Sequence, residues 1–161
     1  MVDKQLFRQV CSMFATGVTV VTTGSDGNYH GMTANAFAVG VSLEPTLVLI
    51  CLDKTSRTCA LLDRTGAFTV NILAEDQQEI SRLFASRDLQ DTHRFAGIDY
   101  TLGSNGTPIL PGCIATMQCT LYSRQEAGDH AIFVGEVIEA DISADGSPLL
   151  YYRSAYRRLG D

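Results

Sequence analysis

At 161 residues, with 45% hydrophobic and 19% charged content, the chain has the length of a single domain spanning 1–161 and enough apolar mass for a real core, which excludes a disordered protein. A net charge of −6 argues against a polyanion as main partner, since nucleic-acid binders present basic faces, but it leaves room for one phosphate held locally. The longest apolar run is far too short to span a bilayer, and MVDKQLFRQV lacks the apolar core and cleavage site of a signal peptide.

Asp3 is placed to cap a first helix in which Leu6, Val10, Met13 and Phe14 share one face, and Thr16-Gly17 ends it. Residues 18–23 are β-branched throughout and predict a strand. Gly24 to Asn28 is turn chemistry, so a second strand over 29–35 is expected to return antiparallel. Ser42-Leu43-Glu44-Pro45 predicts another turn, and 46–52 a third strand apolar enough for burial on both faces. Ser56 is a helix cap, Leu61 and Leu62 mark the inner face of that helix, and Gly66 closes it. A strand over 68–73 and a helix over 75–85 follow, the helix with Ile80, Leu83 and Phe84 inward and acids in its first turn.

From 86 to 112 the signal fades into charges, Gly103, Gly106, Pro108 and Pro111, the composition of a long loop or lid. Residues 113–123 alternate, with Cys113, Ala115, Met117, Cys119 and Leu121 on one face and Thr116, Gln118 and Thr120 on the other. Residues 130–142 alternate too, predicting a face of Ile132, Val134, Ile138, Ala140 and Ile142, interrupted by Glu136. A last strand over 149–152 runs into a basic tail at 153–158. Six or seven hairpin-linked strands with few helices predict a closed antiparallel barrel, and neither a βαβ repetition nor G-x-G-x-x-G is present to support a Rossmann site.

Five cysteines without a CxxC pair point to reduced thiols in the cytoplasm, and His30, His93 and His130 stand too far apart to suggest a metal. Lys54, Thr55, Ser56, Arg57 and Thr58 gather two cations, three hydroxyls and backbone amides at a helix start, which favours an anion; an ordinary N-cap with solvated charges has the same sequence. Thr33, Ala34 and Asn35 offer hydroxyl, amide and backbone to the edge of a planar ring, or form an edge strand of poor propensity. Gly128-Asp129-His130 is an ordinary turn that also puts an imidazole, a side chain suited to positioning or proton transfer, at a barrel rim. His30 and His93 read as surface residues, and Cys51, inside the proposed site, as a small packing group. With no nucleophile set, no paired acids and no metal cluster, a borrowed reactive group suits the chain better than hydrolysis.

Six segments, in order, resemble the short-chain flavin reductases, the reductase components of two-component flavin-dependent monooxygenases. They are FATGVTVVTT (14–23), GMTANAF (31–37), VSLEPTLVLICLDKTSRT (41–58), FTVNILAEDQQEISRLFAS (68–86), GDHAIFVGEV (128–137) and PLLYYRSAYRRL (148–159). The resemblance implies an antiparallel split β-barrel of Greek-key type with a few peripheral helices, working as a cytoplasmic homodimer. It implies binding of FMN or FAD, hydride from NADH or NADPH, and delivery of reduced flavin to a partner monooxygenase. By the same resemblance Thr33, Ala34 and Asn35 line the flavin ring, while Asp53, Lys54, Thr55, Ser56 and Thr58 hold the ribityl chain and phosphate. Phe84, Ala85 and Ser86 also approach the flavin, His130 lies beside the nicotinamide, and Tyr152 and Arg157 belong to a C-terminal segment that closes the site. The chain departs from the family at Ala36, Ala38 and Gly40, where serines are frequent, and at Glu44-Pro45-Thr46, where Asp-Pro-Pro is. A non-catalytic flavin or haem carrier, and a flavin-dependent reductase of another acceptor, remain alternatives.

Overall fold

The structure, a computed structural model, describes residues 2–86, 94–142 and 146–160. Helix α1 (Lys4–Ser12) begins at Asp3, whose carboxylate accepts from the Gln5 and Leu6 amides at 2.8 and 2.9 Å. Its apolar side does not enter a core: Leu6, Val10, Met13 and Phe14 are all more than half exposed. After β1 (Thr16–Gly17), strands β2 (Thr19–Ser25) and β3 (Asn28–Ala34) form the expected hairpin. Its two-residue turn carries positive φ at Asp26 and Gly27, the backbone that matches the twist of the flanking strands.

The chain then forms β4 (Phe37–Leu43), which claims the expected turn residues Ser42 and Leu43, and β5 (Thr46–Asp53). Helix α2 (Arg57–Thr65) starts on Ser56 and stops on the left-handed Gly66. Strand β6 (Ala67–Ile72) leads to α3 (Gln78–Ala85), three residues shorter than expected at its start. The reason lies in the C-terminal chain: the Glu75 amide donates to the Ser147 carbonyl and Ala74 bridges to Pro148, and the Gln77 amide closes a turn on the Ala74 carbonyl before the helix begins. Two short strands, β7 (Thr101–Leu102) and β8 (Pro108–Ile109), precede the long hairpin of β9 (Ala115–Ala127) and β10 (His130–Ile142). The expected basic tail is itself a strand: β11 (Leu150–Tyr152) turns back into β12 (Ala155–Arg157).

Seven strands form one antiparallel sheet in the order β3-β2-β6-β9-β10-β5-β4. The two edge strands, β3 and β4, are consecutive in the chain and separated only by Asn35 and Ala36. The sheet therefore curls until its edges nearly meet, but β3 and β4 share no ladder, so the expected closed barrel is a split one. Inside it lie Val21, Ile50, Leu52, Phe68, Val70, Cys119 and Phe133, plugged at one end by Cys59 and Leu62 of α2. A second cluster packs outside, where Val20, Leu73, Phe84, Leu110 and Leu149 join α3 to the C-terminal hairpin.

Three expectations about faces change. On β10 the inward side chains are Ala131, Phe133 and Val137 with Gly135 between them, while Ile138 and Ile142 are exposed. A run of apolar residues on both sides of this strand hid which side was the core, and bulges near Gly135 and Ile138 shift the alternation. On β9 the polar face is buried as well: Thr116 and Gln118 are both buried, and Gln118 accepts from the Ser104 hydroxyl and the Asn105 amide. That segment is no loose lid, because Thr69 and Thr107 share a 2.7 Å bond, Asn71 accepts from the Leu110 amide at 2.8 Å, and Asn105 donates to the Phe68 carbonyl at 3.0 Å. Residues 87–93 of the expected loop lie outside the described residues.

Burial pushes the Cys113 and Cys119 thiols up to about 12, so both are inert packing groups. At Gly135 a β-carbon would stand 2.4 Å from the Phe68 ring and 3.0 Å from Cys119 Cβ, both in the packed interior. Gly135→Ala is expected to destabilise the fold by ~2 kcal/mol, through forced displacement of packed side chains, lowering the urea midpoint at constant slope.

Candidate active site

Three elements converge beside the barrel's split: edge strand β3, the β5–α2 junction and the end of α3. Between them is a cavity of about 580 Å³, a size ordinary for small-molecule sites. The junction is built by short-range polar contacts. Asp53 Oδ1 accepts from the Thr55 amide at 2.8 Å and the Thr55 hydroxyl at 2.7 Å, and the Ser56 amide donates to the Asp53 carbonyl at 3.0 Å. Ser56 Oγ then caps α2 by accepting from the Cys59 amide at 3.2 Å. The amides of Arg57 and Thr58 belong to the first turn, which an α-helix leaves outside its own ladder, at the positive end of its dipole.

Asp53, Thr55, Ser56, Arg57 and Thr58 all line the cavity, and so do Thr33, Phe84, Ala85 and Ser86. Thr33 is fixed by donating its hydroxyl to the Ser81 carbonyl of α3 at 2.6 Å. Gly31 lets the Phe84 ring lie against β3, since a β-carbon there would come within 2.8 Å of it. Ala34 faces the barrel core instead, and Asn35 lines a smaller adjoining cavity of about 180 Å³ with Thr33, Ala85, Tyr151 and Tyr156. Tyr152 and Arg157 line neither cavity; the neighbouring tyrosines of the same hairpin take that place, and Tyr156 donates to Ser81 Oγ at 2.8 Å.

Lys54 and His130 form the rim rather than the wall. The Lys54 ammonium pairs with Glu126 at 2.8 Å, and its amide donates to the Asp129 carbonyl at 3.1 Å. His130 stands directly across the ladder from Asp53, its Nδ1 2.7 Å from Asp129 Oδ1. That hydrogen bond and the charge of His130 hold the Asp129 carboxyl below its ordinary range, as Lys54 and then Arg124 do for Glu126. Cys51 is half-buried outside the cavity wall.

Two cavity residues had no sequence signal assigned to them. His30 is buried, contrary to the surface position expected, and its Nδ1 lies 2.7 Å from Thr58 Oγ1. Strand alternation was the available signal: His30 shares the face of Met32 and Ala34, and α2 covers that face. Arg94 is buried and donates to the Phe84 carbonyl at 2.9 Å and to the Ser86 carbonyl. No local pattern marked it. His93 lies outside the described residues.

The arrangement fits a flat ring with a phosphate tail. First-turn amides, the Ser56 hydroxyl and the guanidinium groups of Arg57 and Arg94 supply donors suited to an anion. Phe84, Met32 and Ala85 give the flat, apolar wall, and the outer edge of β3 makes no ladder bonds. Another cavity of about 500 Å³, between the Gly24–Asn28 turn and Arg64, has no helix start in its wall. Among the described residues no group of His, Cys, Asp and Glu is placed to hold a metal ion, and no helix is long and apolar enough to cross a membrane. Thr58→Val keeps the shape but removes the hydroxyl from His30, and is expected to cost ~1–3 kcal/mol in urea unfolding through lost satisfaction of a buried polar pair.

Comparison with known proteins agrees with this geometry. Residues 11–160 match the family described as flavin reductase like domain. The chain is 44% identical over 155 residues to the reductase subunit of a flavin-dependent monooxygenase from Rhodococcus jostii, covering 96% of this chain and 77% of that one. It is 38% identical over 160 residues to an NADH-dependent FMN reductase from Streptomyces nodosus, covering 96% and 84%. Its fold superposes with a TM-score of 0.91 on a Streptomyces globisporus NADH:FAD oxidoreductase solved with NAD and FAD fragments, at 37% identity and covering 99% and 96%. The split barrel, the anion seat beside its opening and these likenesses together place the chain in the flavin reductase family.

Proposed function

We infer that the chain is an NAD(P)H:flavin oxidoreductase that reduces FMN or FAD and releases reduced flavin to a partner monooxygenase. The observation that carries this is the convergence of the α2 start, two guanidinium groups and an unpaired strand edge on one cavity of about 580 Å³. When both ligands are bound, the nicotinamide C4 supplies a hydride that the flavin accepts at N5.

The protein's part is to bind, orient and exclude water, and such positioning removes much of the entropic barrier. The Ser56 hydroxyl, whose proton is not used in capping α2, holds the phosphate with the first-turn amides of α2 and Arg94. Thr33, Asn35 and the outer edge of β3 are in reach of the ring's polar edge, and Phe84, Ala85 and Ser86 close the side opposite. His130, held by Asp129 at the rim, orients the nicotinamide or its carboxamide; no protein base is needed for hydride transfer.

The working unit is a homodimer. Val39, Val41 and Leu43 of β4 and Ile138 and Ile142 of β10 leave an exposed apolar face around a cavity of about 390 Å³, a surface that a second copy would remove from water. Sedimentation is expected at twice the chain mass, and a monomer at micromolar concentration would sink the dimer.

Purified protein is expected to oxidise NADH or NADPH at a rate that rises with added FMN or FAD. If neither flavin accelerates the loss of nicotinamide absorbance under any pairing, the reductase reading is wrong. His130→Ala is expected to raise the KM for the nicotinamide nucleotide roughly tenfold, the upper end for one hydrogen bond to a neutral carboxamide, while the flavin Kd moves by less. Unchanged kinetics would remove His130 from the site.

A further inference from the structure

One buried ionisable side chain in the wall of the main cavity takes no part in hydride transfer. His30 is 6% exposed, and its Nδ1 lies 2.7 Å from Oγ1 of Thr58, in the first turn of α2. A hydroxyl can give its single proton to a bare ring nitrogen, or accept from a protonated one. Thr58 therefore satisfies His30 in either charge state without moving. A carbonyl or an amide, with only one of the two roles, would strand one state as a buried unsatisfied group.

The charges around this imidazole come from several elements. β5 brings Asp53, α2 brings Arg57, and the chain after α3 brings Arg94, all in the same cavity wall. Across the ladder β2 brings the uncharged Thr23, and α3 brings Phe84 and Ala85. The Cys59 thiol of α2, pushed up by burial and then by Asp63, stays neutral. At the rim Lys54 is paired with Glu126, and His130 with Asp129. Among the described residues of the wall, two guanidinium groups thus stand against one carboxylate, which opposes a further positive charge in the ligand-free protein. A phosphate at the start of α2 adds negative charge, reverses that balance and favours imidazolium.

We propose that His30 takes up a proton from solvent when a flavin phosphate binds at the start of α2, so that flavin binding is proton-linked and weakens as pH rises. This rests on the reading that a flavin phosphate occupies that helix start. In the bound state Nδ1–H donates to Thr58 Oγ1, and the imidazolium adds a buried positive charge to the anion's surroundings. His30 is a positioning residue, acting on the ligand's charge and not on the reacting atoms. The sign follows from linkage: a group that holds its proton more firmly in the complex strengthens binding at low pH. That gain is lost as pH rises through the imidazole range, about 5 to 8.

The test is calorimetric titration of the purified full chain with FMN and with FAD, in two buffers of different ionisation enthalpy. FAD is the cleaner probe, because a phosphodiester does not titrate in this range, whereas a phosphomonoester does near pH ~6. Wild type is expected to bind FAD about fivefold more weakly at pH ~8 than at pH ~6, with net proton uptake near pH ~7. His30→Asn, which keeps a neutral hydrogen-bonding group toward Thr58, is expected to reduce that change to about twofold or less and to remove the uptake. Where thermal unfolding shows that this variant does not fold, the ring proton resonances of wild type are followed by NMR with and without FAD. His93→Gln and His130→Gln identify the other two rings, and the His30 resonance is expected to titrate at higher pH when FAD is bound. An equal pH slope in wild type and folded His30→Asn, or a His30 resonance whose titration FAD does not move, overturns the proposal. So does a slope that survives in His30→Asn and vanishes in His130→Gln, which would give the proton to the rim. Wild type that binds flavin with an affinity independent of pH refutes only the proton uptake; wild type that binds neither flavin at any pH refutes the flavin site itself.

Discussion

The structure depends on one topological constraint: the two edge strands of a seven-stranded sheet are neighbours in the chain, with two residues between them. A sheet whose ends are so tethered must curl, and the right-handed twist of its strands gives it the shape of a barrel wall. The tether fixes proximity without supplying a ladder. β3 therefore keeps an unpaired outer edge beside the β5–α2 junction, and the cavity opens where a closed barrel would have had hydrogen bonds. An unprotected edge normally invites another chain; here α3, through the Thr33–Ser81 bond and the Phe84 ring over Gly31, narrows the opening to a cavity.

The outer surface of this wall is polar although it is buried. Thr22, Thr69, Asn71 and Gln118 bind the backbone and side chains of 103–110. Buried polar groups are tolerable only when partnered, and each of these is. The result is a fully partnered layer that carries Leu110 into the outer cluster with Phe84 of α3. The long connection is thus a structural clamp for the site, with its specificity set by hydrogen-bond geometry.

Much of this was legible in the sequence because the signals were local. Asp3, Ser56 and Gly66 act as caps through contacts within four residues, and the Gly24–Asn28 turn sets the first hairpin by itself. The anion seat was legible for the same reason: Asp53 to Thr58 fold upon one another. What was not legible depended on distant partners. His30 is buried because α2, almost thirty residues later, lies over its face of β3. The polar side of β9 is buried because 103–110 returns to it, so alternation gave the two faces correctly but not their surroundings. On β10 both faces are apolar, and only Gly135, made necessary by Phe68, distinguishes the inner one. Arg94 follows a featureless stretch, and its role exists only once the end of α3 is in place.

That last contact has a wider electrostatic meaning. Two helix termini face the cavity, the beginning of α2 and the end of α3, and their dipoles are opposed in sign toward it. An anion drawn by the first would be repelled by the carbonyls of the second. By capping Phe84 and Ser86 with one buried guanidinium, Arg94 covers the negative end and presents a cation in its place. The cavity thus behaves as though both helices pointed their positive ends inward, an effect a lysine would reproduce poorly because one ammonium lacks the fixed fork that spans two carbonyls. A pocket in an acidic protein thus carries a buried cation that salt screens less than an exposed one.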